Sequence, residues 1–121
     1  MDDLGDIFSL LLHEEKALLD QVQILKNSIA ELDTHLMREM QLIDEDIATF
    51  QSQAEQIGKF VDSQLRESLH TQILGQIVML RHNKRQYQER MLGEMRGVAI
   101  SLSEKEKELA RLKNEIEMLK A

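Results

Sequence analysis

The residues best suited to chemistry in this 121-residue chain are four histidines and the carboxylates near them. Glu67 and His70 form a Glu-x-x-His pair, the spacing that places two metal ligands on one face of a helix. A two-metal bundle requires a second such pair and two further carboxylates, and the sequence holds only this pair. Glu31 and His35 are four residues apart but lie among ordinary surface polar residues. We therefore predict no metal site and exposed histidines.

Other catalytic patterns are missing from the sequence as well. Cysteine is absent, so the chain offers neither a thiolate nucleophile nor a disulfide. No glycine-rich or Gly-Lys-Ser/Thr loop is present to bind a phosphate. The serines are scattered, with no base beside them and no sign of a pocket that would exclude water. We therefore expect a protein that is not an enzyme and that has no catalytic residues and no cofactor.

A basic cluster is the remaining candidate for chemistry, because such clusters bind the phosphates of nucleic acids. The chain as a whole has a net charge of −7, and the single stacking aromatic nearby is Tyr87. Nucleic-acid binding is therefore our third interpretation, and the cluster serves equally well as the complement of an acidic segment. The cluster consists of Arg81, His82, Lys84, Arg85 and Arg90.

Long helices must position all of these residues, because apolar residues recur every three or four positions from Leu4 to Leu119 and proline is absent. This spacing is typical of the line of core residues, here called the seam, in a coiled coil. We predict an all-α, elongated antiparallel coiled coil, either a long helical hairpin or an antiparallel dimer of long helices. The predicted interface with a partner or within an oligomer is Ile7, Phe8, Leu11, Leu18, Val22, Leu25, Ile29, Leu32, Leu36, Ile43, Ile47, Phe50, Ile57, Val61, Ile77, Leu80, Tyr87, Met91, Val98, Leu102, Leu109, Leu112, Ile116 and Leu119.

The seam changes phase in the middle of the chain. Between Val61 and Ile77 its apolar residues are each four apart, a spacing that drifts around a helix instead of holding one face. We therefore predict a single coiled-coil domain over 1–121, with a helix over about 6–66 that Asp6 caps, a turn over about 67–75, and a helix over about 76–120.

The charges of the two halves favour antiparallel pairing. Residues 1–60 carry thirteen acids and four bases, and residues 61–121 carry nine acids and eleven bases. A fold back near Ser68 places Asp44 opposite about position 93 and Glu55 opposite about position 82, so that the acidic block faces the basic block. A parallel homodimer would set the acids around Asp44 beside their own copies, which the summed charge disfavours.

Lys84 and Lys105 interrupt the seam with charged side chains. One interpretation is a long apolar stem that crosses the seam while its ammonium group stays in water. The other is a residue that selects the register or the partner, as buried polar seam residues do.

The beginning of the chain is apolar on more than one helix face, which exceeds the narrow stripe that a two-helix seam needs. Two explanations remain open, since either another protein or a third helix docks here, or the chain end folds onto its own bundle. The residues of this surface are Ile7, Phe8, Leu10, Leu11, Leu12, Leu18 and Leu19.

In outline the chain resembles two families of short coiled-coil subunits. Its length and expected hairpin are similar to the cytoplasmic stalk proteins of flagellar and type III secretion export gates. The rhythm from Glu104 to Lys120 is similar to that of small intraflagellar transport subunits. We expect a structural or adaptor subunit that assembles a larger complex through self-association, a hetero-coiled coil or both. The alternative is a secretion stalk or chaperone.

The compartment follows from two patterns. The longest apolar run, Leu10 to Leu12, is far too short to span a membrane. The chain also begins with Asp2 and Asp3 and lacks the basic start of a secretory signal. We therefore expect a cytoplasmic protein with no membrane span.

Overall fold

The computed structural model describes residues 3–59 and 62–121, and these residues form two long helices packed against each other. Helix α1 covers Asp3–Ile57 and helix α2 covers Ser63–Lys120. No strand occurs in the described part of the chain. The predicted all-α class is confirmed, and the arrangement is that of a helical hairpin.

The predicted turn over about 67–75 is wrong, because α2 contains all of these residues. The helices are separated by residues 58–62 instead. The backbone N–H of Gly58 donates to the Ala54 carbonyl at 3.3 Å, and that of Lys59 donates to the Gln56 carbonyl at 3.1 Å. These bonds complete the last turn of α1, which ends at Ile57 and begins at Asp3, three residues before the predicted start.

Asp62 is the N-cap of α2. Its Oδ1 accepts hydrogen bonds from the backbone N–H groups of Gln64 at 3.0 Å and Leu65 at 3.1 Å. Its own carbonyl accepts the first helical bond, from the N–H of Arg66, at 3.0 Å. An aspartate in this position is typically worth about 1 kcal/mol relative to alanine. The cap therefore fixes the start of α2 well before the place that apolar spacing alone indicates.

The contacts of the chain divide it into two compact units. Unit 1 comprises Met1–Leu32 and Glu94–Ala121, and unit 2 comprises 33–93. In unit 1, Leu18 of α1 and Leu112 of α2 line the same surface groove. In unit 2, Ala54 lies beside His70, and Asp44 pairs with Lys84. Later residues of α1 thus lie beside earlier residues of α2 in unit 2.

The buried side chains of both units belong to the predicted seam. Those of unit 1 are Val22, Leu109, Leu112 and Ile116, and those of unit 2 are Leu36, Ile47, Ile57, Ile77 and Met91. The other predicted interface residues are half-buried, except Ile7, which is 48 % exposed, and Val61, which lies outside the described residues. No described side chain is completely enclosed, and no described polar residue is buried. Each unit is therefore held by a thin apolar core.

Candidate interaction surface

The first third of α1 carries several exposed apolar side chains in unit 1. Those of the predicted extra face are exposed or half-buried, and Leu10, at 66 %, is the most exposed of them. The described residues of this unit therefore leave the surface open, although the sequence also allowed the chain end to cover it. We call it the α1 apolar surface, and it consists of Leu4, Ile7, Leu10, Leu12, Leu19 and Ile24.

Four residues of the α1 apolar surface flank the seam, two on each side. Leu10 and Ile24 are fourteen residues apart, two heptads, and so lie on one side of α1. Leu12 and Leu19 are seven residues apart and lie on the other side. An apolar face that extends beyond the seam on both sides requires further cover, and patches of this kind commonly mark protein contacts.

Sequence reasoning missed Leu4 and Ile24 as members of this surface. Ile24 is 62 % exposed and Leu4 is 58 % exposed. The signal for Ile24 was present, because it repeats the heptad position of Leu10. It was overlooked because Val22 and Leu25, on either side of it, satisfy the seam.

Negative charge surrounds the α1 apolar surface. Residues 3–32 contain six carboxylates and two lysines. Glu14 and Glu31 are both exposed on this helix. Since complementary charge steers association and disfavours wrong partners, the surface suits an apolar ligand flanked by Lys or Arg.

Lys84 and Asp44 form an ion pair between the two helices in unit 2. The Lys84 Nζ lies 2.6 Å from the Asp44 Oδ1, and the two side chains are 33 % and 55 % exposed. An acid of the acidic block thus meets a base of the basic block, although Asp44 was expected near position 93. The register differs because the turn comes earlier than predicted. A pair this exposed is worth about 0.2–1 kcal/mol.

The two seam lysines behave differently. Lys84 is half-buried and its ammonium group reaches across to the other helix. Lys105 is also half-buried, but its Nζ lies 3.7 Å from the Oε2 of Glu108 on its own helix. Lys84 therefore has the geometry of a residue that favours one register, whereas Lys105 only lays its stem over the seam.

The Tyr87 ring has two close neighbours in unit 2. Its ring centroid lies 6.2 Å from that of His35, and the Arg90 guanidinium carbon lies 5.1 Å from the Tyr87 centroid. The Tyr87 hydroxyl is enclosed and has no hydrogen-bond partner among the described residues. Two members of the basic cluster, Lys84 and Arg90, are thus engaged within the chain, which weakens the case for phosphate binding.

The Glu67–His70 pair lies in unit 2 beside the end of α1. Both residues line a shallow groove with Ala54 and Glu55. Over residues 3–59 and 62–121, no group of three or more His, Cys, Asp or Glu side chains could hold a metal ion.

Neither helix, over the residues that the structure describes, contains an apolar stretch of the length needed to span a membrane. Comparison with protein-family models, curated proteins and solved structures gives no match to this chain.

Proposed function

We propose that this protein is a non-enzymatic coiled-coil subunit, structural or adaptor in role, that mediates assembly of a larger complex in the cytoplasm. We also propose that the two helices pack as an antiparallel coiled coil. Its support is the burial of seam residues such as Leu36 and Ile116, together with the Asp44–Lys84 pair between the helices.

The observation that carries the proposal is the α1 apolar surface. Leu10 and Ile24 are 66 % and 62 % exposed, although the seam residues from Leu11 to Leu25 beside them are buried or half-buried. Leaving such side chains in water forgoes roughly 25 cal/mol for each Å² of apolar surface that a partner could cover. A partner at this position therefore gains affinity without disturbing the core of unit 1.

The expected partner segment is an amphipathic helix. It would present apolar residues at i, i+3, i+4 and i+7 to the α1 apolar surface, the usual pattern for a helix bound in a groove. Its flanks would carry Lys or Arg, because Glu14 and the other carboxylates around the surface are exposed.

The test is affinity capture from native extract with the full chain as bait. The variant Leu10→Glu/Ile24→Glu places two charges on the α1 apolar surface. The control Ser9→Glu/Gln23→Glu adds the same charge at adjacent exposed positions. We expect one protein to be retained by the wild type and the control and lost by the first variant, with equal helicity by circular dichroism. Retention of the same protein by all three would refute the proposal.

The alternative function is a hairpin stalk or chaperone of a flagellar or type III secretion apparatus. The observation in its favour is the hairpin of two long helices. The exposed Met118 of unit 1 also suits a surface that binds several helices, because Met side chains adapt their shape. Capture of a secreted helical client through the α1 apolar surface would favour this function over a permanent adaptor.

A further inference from the structure

A second exposed surface lies on unit 2, and α1 contributes half of it. Met37, Gln41, Asp44 and Ala48 follow one another at spacings of four, three and four residues, so they share one side of the helix. All four are exposed, and Met37 is 65 % exposed. We call this row stripe A. Glu45, also exposed, lies next to it and adds a second carboxylate to that of Asp44.

Helix α2 contributes a matching row, which we call stripe B. Its residues are spaced alternately by four and three, and all are exposed. Apolar residues occupy its two ends, where Leu74 is 45 %, Val78 64 % and Leu92 44 % exposed. Two arginines occupy its centre. Stripe B consists of Leu74, Val78, Arg81, Arg85, Gln88 and Leu92.

The two stripes lie on the same side of unit 2. A surface groove of about 670 Å³ is lined by all four residues of stripe A and by Gln88 of stripe B. A separate groove is lined by Asn83, Gln86, Tyr87 and Arg90. Met79 precedes Asn83 by four residues and belongs to that other row. One side of unit 2 therefore presents acids on α1 beside bases on α2, with apolar residues around them.

We propose that this side of unit 2 binds a second copy of the same chain. A two-fold axis parallel to the helices lays stripe A of one copy on stripe B of the other. Asp44 lies level with Lys84 within one chain. In the dimer Asp44 therefore faces Arg81 and Arg85, while Met37 faces Leu92 and Ala48 faces Val78. Apolar residues meet apolar residues, and carboxylates meet guanidinium groups.

Charge selects this arrangement over the other two-fold packing. An axis perpendicular to the helices would lay stripe A on stripe A, and Asp44 and Glu45 would face their own copies. Like charges placed opposite one another oppose association. The parallel axis instead repeats the favourable contact twice in a closed dimer. This interface does not involve the α1 apolar surface, so it holds or fails independently of the proposed function.

The first test compares two neighbouring residues in the purified full chain. Val78 is 64 % exposed in stripe B, and Met79 is 60 % exposed in the other row. We expect the wild type and Met79→Glu to have the mass of a dimer by sedimentation equilibrium, and Val78→Glu to have that of a monomer with unchanged helicity. A monomeric wild type, a dimeric Val78→Glu, or equal dissociation of both variants would overturn the proposal.

The second test reverses charges. Arg85→Glu places a carboxylate opposite Asp44 and Glu45 of the second copy, and we expect the dissociation constant to rise about tenfold or more. Adding Glu45→Arg to the same chain restores opposite charges at both contacts and should recover most of the affinity. A double variant no tighter than Arg85→Glu alone would contradict the assigned pairing.

Discussion

At the scale of single residues, the least satisfied group in the described chain is the Tyr87 hydroxyl. The ring has defined neighbours, since His35 and Arg90 both lie against it. The hydroxyl itself is enclosed without a hydrogen-bond partner among the described residues. An unsatisfied polar group of this kind costs about 1–3 kcal/mol when it is fully buried, and less at a half-buried residue.

We predict that Tyr87→Phe raises the free energy of unfolding by up to about 1 kcal/mol. The substitution removes the unsatisfied hydroxyl and keeps the ring between His35 and Arg90. Urea denaturation followed by circular dichroism measures the change. The control Tyr87→Leu removes the ring contacts as well and should be destabilising. A clear loss of stability in Tyr87→Phe would mean that the hydroxyl forms a hydrogen bond in solution.

At the scale of the elements, α2 is a long helix that contains three glycines within its bounds, Gly75, Gly93 and Gly97. A Cβ at any of them would meet no atom within 4 Å apart from the glycine itself, its chain neighbours and the nearby backbone of α2. Glycine inside a helix is less favourable than alanine by about 0.8–1 kcal/mol. These positions therefore weaken α2 without any packing reason in the described chain.

We predict that Gly75→Ala stabilises the protein by about 0.8–1 kcal/mol in the same urea experiment. Gly58→Ala is the matched control outside the helices, because its Cβ would lie 3.3 Å from the Glu55 carbonyl oxygen. The control should gain less or lose stability. If the two variants behave alike, open space and helix propensity do not explain the role of Gly75.

The elements also show what the sequence could and could not predict. The seam was predictable because its spacing repeats over many turns, and residues such as Val22, Met91 and Ile116 are indeed buried. The turn was missed because a helix boundary depends on one or two residues. Gly58 and the Asp62 cap carried that signal, whereas the drift from Leu65 to Ile77 is accommodated inside α2. Because the turn was predicted too late in the chain, Asp44 was expected opposite about position 93, whereas it pairs with Lys84.

At the scale of the whole molecule, the described chain buries little apolar surface for its length. No described side chain is completely enclosed, and many large apolar residues are more than 40 % exposed. We predict a heat-capacity change of unfolding below the roughly 12–15 cal/mol/K per residue that is typical of globular proteins. Scanning calorimetry measures it, with Val78→Glu, which we expect to be monomeric, as the reference. A value within the usual range for that variant would show burial beyond that of the two units.

The candidate surfaces were predictable only in part. The excess apolar residues from Ile7 to Leu19 could be recognised because they outnumber the positions of one seam. Stripes A and B could not, because they depend on which flanks of α1 and α2 lie on the same side. Which flanks lie together depends on how the two helices pack along the seam, and which residues lie level depends on the register, which follows from where α2 begins.

The position of the Asp62 cap has a consequence for how the chain folds. Residues near it that line the same surface groove are close in sequence, such as Ala54 and Glu67. The Asp44–Lys84 pair closes a segment of 40 residues, and Leu18 and Leu112 come from opposite ends of the chain. Each doubling of the length of the loop that a contact closes costs about 0.6 kcal/mol more in chain entropy. We therefore expect folding to nucleate beside the cap and residues far apart in sequence, such as Leu18 and Leu112, to come together last.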